Sequence, residues 1–69
     1  MYINYNDRGD ILYLRLDDRP QDVINKRISE DIVLDIGSDD KIVAIEIINA
    51  SQKIQLDRLL PVKYDLLAT

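Results

Sequence analysis

The sequence of 69 residues predicts an α+β fold, a small antiparallel β-meander of about five strands with a short C-terminal helix. Three observations carry this. Short apolar segments alternate with a period of two; clusters of Asp, Asn, Gly and Ser separate them; and the period changes after Ile48. Connectors this short make neighbouring strands antiparallel, because parallel neighbours need a crossover of about a dozen residues.

Residues 2–6 (YINYN) alternate and form the first predicted strand. The Asp7-Arg8-Gly9-Asp10 turn follows, with Gly expected to supply a positive φ and Asp to cap the backbone. Residues 11–16 (ILYLRL) place Leu12, Leu14 and Leu16 on one face and Ile11, Tyr13 and Arg15 on the other. A polar loop broken by Pro20 leads to a weaker strand, 23–29, whose Lys26 suits a sheet edge. Glu30-Asp31 turns the chain into strand 32–36, with Ile32, Leu34 and Ile36 facing one way. The GSDDK hairpin leads to strand 42–48, rich in β-branched residues, with Val43, Ile45 and Ile47 inward.

After Asn49-Ala50-Ser51, which offers a cap residue, residues 52–60 read as a helix of about two turns. Leu56, Leu59 and Leu60 share its apolar stripe, which Ile54 does not fit, so 54–56 is also readable as strand. Pro61 ends the helix or begins another, and Val62, Leu66 and Leu67 line an apolar tail. The expectation is a single domain, 1–69, with the sheet in 1–50 and the helix and tail in 51–69.

Composition excludes much chemistry. The chain has no Cys and no His, so it lacks the usual ligands for zinc and any disulfide. The three Ser residues have no His to activate them, and two Gly residues cannot build a phosphate loop. Nine basic against thirteen acidic residues give a net charge of −4. With basic residues scattered, nucleic acid is not an expected partner. No apolar run approaches the roughly 20 residues of a membrane span. Met1 is not followed by the basic and apolar regions of a signal peptide, so a cytoplasmic protein is expected. Ile, Leu and Val number 24, enough for a small core but few for a chain without staples. Self-association as a homodimer or larger assembly is therefore expected.

Several local patterns invite sharper readings. Glu46, between Ile45 and Ile47, could act as an acid if buried, yet a lone carboxylate has no second group to work with. Pairing with Arg15 or Lys26 across the sheet is the better reading. Asp35, Ser38, Asp39 and Asp40 fail the spacing of a calcium loop, with Asp40 where Gly is needed. Arg8-Gly9-Asp10 spells a receptor-ligand tripeptide, but its residues are those of an ordinary turn. No catalytic, cofactor-binding or metal-binding residue is expected. The candidate interaction face is Ile11, Tyr13, Arg15, Val33, Asp35 and Glu46, too apolar for a wholly wet surface and too charged for a core. Leu59, Leu60, Val62, Leu66 and Leu67 are candidate tail contacts.

Two stretches carry a family resemblance. Tyr5-Asn6-Asp7-Arg8-Gly9-Asp10-Ile11-Leu12-Tyr13-Leu14-Arg15-Leu16 is similar to Y-D-x-x-x-D-x-L-Y-I-x-L. Ile32-Val33-Leu34-Asp35 and then Ile42-Val43-Ala44-Ile45-Glu46-Ile47-Ile48-Asn49-Ala50-Ser51 resemble I-x-L-D-x-x-x-x-G-x-V-V-G-I-E-I-L-N-A-S. Both belong to the DUF2283 pattern of small bacterial and archaeal proteins. The chain departs from it at Asn6, at Gly9, at Ala44 and in a hairpin lacking the late Gly. The resemblance implies no biochemical activity and transfers no site residue. Some members look like the antitoxin partner of a small toxin, which implies a non-catalytic interaction module, in its sharpest form a neutraliser of a small basic protein. The competing expectation is a stand-alone structural or small-ligand-binding homo-oligomer.

Overall fold

A computed structural model describes residues 1–58; the candidate tail contacts Leu59, Leu60, Val62, Leu66 and Leu67 lie outside the described residues. Five antiparallel strands form one open sheet: β1 (Tyr2–Asn6), β2 (Ile11–Arg15), β3 (Ile24–Arg27), β4 (Ile32–Ile36) and β5 (Ile42–Ile48). A single helical turn, α1 (Ala50–Lys53), and a 3-10 turn over Leu56–Arg58 follow. The fold is thus α+β with a minor helical part.

The strand order is β1-β2-β5-β4-β3, which corrects the expected meander. Strands β3, β4 and β5 are consecutive neighbours, and β2 lies beside β5, so β2 to β5 make a Greek key. The connection from Leu16 to Val23 crosses two strands at one end of the sheet. Three strand spacings total about 14 Å. Eight residues reach well beyond that at about 3.3 Å each. The loop is long enough for the crossing, although too short for a parallel return.

Three side-chain and backbone devices hold that crossing. Leu16 and Asp17 both donate their N–H to the Val43 carbonyl, at 2.8 and 3.2 Å. Val43 is the extra residue of an irregularity where Asp35 pairs with Ala44 but Ile36 pairs with Ile42. Asp17 then accepts hydrogen bonds from the Arg19 backbone N–H (3.0 Å) and the guanidinium (2.9 and 2.7 Å). That guanidinium holds the Asp17 carboxyl far below its ordinary value. At Gly37 a Cβ would collide with the Gln21 side chain of the crossing loop and press on Val43. Glycine is needed there for space, since its φ is −92°.

Residues directly opposite one another share a face. One face carries two apolar rows, Leu34–Ile45–Leu14–Ile3 and Ile32–Ile47–Leu12–Tyr5. Leu12, Val43, Ala44 and Ala50 are the described residues buried almost completely. Ile24 is 75% exposed, because β3 is an edge strand with no neighbour beyond it among the described residues.

Other local expectations shift. β2 ends at Arg15 and β3 covers only Ile24–Arg27. The helix begins at Ala50 and stops at Lys53, because Ile54 is extended (φ −137°, ψ 162°). The expected helix over residues 52–60 is thus displaced and broken, and residues 59 and 60 lie outside the described residues. No glycine has positive φ; Asp10 takes the left-handed conformation (φ 54°) that Gly9 was expected to supply. Asn6 closes the turn instead, its Oδ1 accepting from the N–H groups of Arg8 (3.0 Å) and Gly9 (3.2 Å).

Candidate interaction face

The second sheet face is built by the three central strands, β2, β5 and β4. Tyr13, Glu46 and Val33 stand opposite one another in one row. Arg15, Ala44 and Asp35 form the next, and Ile11 stands opposite Ile48. Ile11, Tyr13, Arg15, Val33, Asp35 and Glu46 therefore share one face, and each is half-buried. Rows continue to the edges, to Asn4 beside Tyr13 and to Arg27 beside Val33.

The charges on this face are mostly engaged within the chain. Arg15 Nε donates to the Asp17 carbonyl at 3.1 Å and lies 3.8 Å from the Asp18 carboxylate. The Asp35 carboxylate accepts from Asn25 Nδ2 of the neighbouring strand. Arg27 donates to the Glu30 carbonyl at 2.6 Å. Glu46, at the centre, has no salt bridge among the described residues. The expected pairing with Arg15 or Lys26 does not form. Arg15 turns toward the crossing loop, and Lys26, opposite Leu34, lies on the other face. The outcome is a carboxylate flanked across the sheet by a tyrosine ring and a valine.

A second constellation joins distant parts of the chain. The Asp10 carboxylate accepts from Tyr5 OH (2.7 Å), the Ser51 N–H (3.0 Å) and the Ser51 hydroxyl (2.6 Å). The Asp10 carbonyl accepts from the Ala50 N–H at 2.9 Å. Asn49 precedes α1 in the left-handed conformation without a side-chain cap, so Asp10 of the first hairpin caps that helix from outside. Asn49 instead donates to Asp31 at 3.1 Å, and Lys53 lies 3.2 Å from the same carboxylate. The Ser51 hydroxyl, then Tyr5, hold the Asp10 carboxyl below its ordinary value, and that hydrogen bond raises the Tyr5 phenol. This clasp occupies the Asp of the Arg8-Gly9-Asp10 tripeptide. Sequence reasoning missed it, although Asp10 and Ser51 lie near opposite ends of the matched motif.

A further feature among the described residues is an open depression of about 240 Å³ lined by Arg19, Pro20, Gln21, Ser38 and Lys41, where the crossing loop passes the β4–β5 hairpin. Asp39 and Asp40 of that hairpin both have positive φ, near 57°. No group of three or more His, Cys, Asp or Glu residues suited to a metal ion occurs among the described residues. No helix among them is long and apolar enough to cross a membrane.

Fold and surface define a small Greek-key sheet protein that presents a half-apolar face. Residues 2–51 match the DUF2283 family, described as protein of unknown function, and the chain belongs to that family. No curated protein and no solved structure matches the chain.

Proposed function

We propose that this protein is a non-catalytic protein-interaction module of the cytoplasm, an antitoxin-like neutraliser of a small basic protein, working through the second sheet face. The observation that supports this reading is the setting of Glu46, a half-buried carboxylate between Tyr13 and Val33 without a salt bridge among the described residues. A lysine or arginine of a partner would complete it, while Tyr13, Ile11 and Val33 supply apolar contact around the ion pair. A net charge of −4 would steer a basic partner toward the encounter.

The test is a tagged pull-down from the native host at modest salt, read by mass spectrometry. The expected result is one stoichiometric small basic protein, lost with Glu46→Lys and with Tyr13→Ala. Recovery of the bait alone overturns the reading and favours the competing one, a self-sufficient homo-oligomer.

A further inference from the structure

Among the described residues, the sheet ends at β1 on one side and at β3 on the other, and these two edges differ in chemistry. β3 carries Lys26 and Arg27, the kind of charge that guards an edge against unwanted pairing. β1 has no charged residue and no proline over its whole length, Tyr2–Asn6. It is also exposed, with Tyr2 54% and Tyr5 38% accessible. An edge strand presents a row of unpaired N–H and C=O groups, and nothing in the β1 sequence discourages their use.

We propose that β1 pairs antiparallel with β1 of a second copy of this chain, around a two-fold axis between the two Asn4 residues. Register decides the axis. A two-fold perpendicular to the sheet keeps each face on its own side, so it must pass midway between one residue and the same residue of the copy. Passing between the two Asn4 residues uses the complete strand. It sets Asn4 against Asn4, Ile3 against Tyr5, and Tyr2 against Asn6, all uncharged pairs.

The apolar rows supply the second argument. One row ends at Ile3 and the other at Tyr5, both on the first face. The two-fold joins the Ile3 end of each row to the Tyr5 end of the copy's other row. The apolar face then runs unbroken through both sheets. Tyr5 is already fixed by its bond to Asp10, so little side-chain freedom is lost on pairing. The same operation on β3 fails. An axis between two Lys26 residues stacks two ammonium groups, and an axis between two Asn25 residues sets Lys26 against Ile24. Pairing through β1 uses other residues than the second-face reading and does not depend on it.

Sedimentation equilibrium of the full chain tests the proposal. The wild type is expected to pass from the 8.0 kDa monomer to twice that mass as concentration rises. Asn4→Lys, at an exposed position, should raise the dissociation constant about fivefold or more by placing like charges across the axis. Asn4→Glu alone should do the same. An equimolar mixture of the two variants should restore the dimer, which also shows that each variant folds. Lys26→Glu should leave the dimer unchanged. A wild type that stays monomeric up to about 1 mM overturns the proposal. So does a dimer indifferent to Asn4→Lys, a mixture that fails to recover, or a dimer broken by Lys26→Glu.

Discussion

Asp10 does the work of several residues. Its backbone takes the left-handed turn, its carbonyl receives the chain entering α1, and its carboxylate caps the helix while holding Tyr5. Asp10→Ala should therefore lower the thermal midpoint by several degrees, and by more than Asp7→Ala in the same turn. The clasp also has a pH signature. The folded carboxyl lies below its ordinary value of 3.8, so its contribution is complete above that pH and drains away as pH falls through the folded value. Denaturant melts across the acid range should show wild-type stability falling, with a flatter profile in Asp10→Asn. Tyr5→Phe keeps the ring but removes one donor, so an NMR titration should find the Asp10 carboxyl moved back toward its ordinary value. Asp40 makes the opposite kind of prediction. It holds φ near 57° at the position that the DUF2283 pattern fills with glycine. Asp40→Gly should stabilise the protein by up to about 1 kcal/mol in chemical melts, by relieving left-handed strain.

Among the strands and turns, the most demanding junction is the crossing loop against the β4–β5 hairpin. Gly37→Ala should cost about 1 kcal/mol in the same melts. Val43 is nearly fully buried and cannot retreat, although the Gln21 side chain can swing aside. The limits of β1, β4 and β5 were legible in the sequence because alternation there begins and ends at turn residues. Those of β3 were not, since all four of its residues are exposed and no burial marks its ends. The helix was misread for a different reason. Its cap comes from Asp10, a residue remote in sequence, so no local pattern announces where it starts. The shared face of Ile11, Tyr13, Arg15, Val33, Asp35 and Glu46 was legible even though the strand order was not. Period-two parity fixes which way a side chain points within a strand whatever lies beside it. The one irregularity, at Val43, falls beyond the Ala44 row and leaves the parity of Ala44–Ile48 intact. Which strand becomes the neighbour depends on where a polar loop travels, and polarity carries no direction.

Across the sheet, stability should grade from the centre outward. β2, β5 and β4 are each flanked on both sides, whereas β1 and β3 have one neighbour among the described residues. Native-state hydrogen exchange should find the slowest amides in β5 and its neighbours and the fastest in β3. Leu12 is fully buried where β2 meets β5, and Leu12→Ala should cost about 3 kcal/mol. That is a large share of what a chain of this length holds, at roughly 0.1 kcal/mol per residue. Thermal melts of this variant followed by far-UV circular dichroism should therefore show the midpoint lowered by about 10–20 °C.

The β2–β5 pairing also sets an order of events during synthesis. The first hairpin leaves the ribosome with the inner edge of β2 bare, since its partner is the last strand made among the described residues. The β3–β4–β5 segment can form from neighbouring hairpins, but closing it onto β2 requires a long loop to be drawn in. Until then β2 presents Leu12 and Leu14 along an open edge, and any other nascent chain nearby is a competitor for it. The rate at which the ribosome delivers residues 42–48 thus limits how long this small protein stays vulnerable to misassembly.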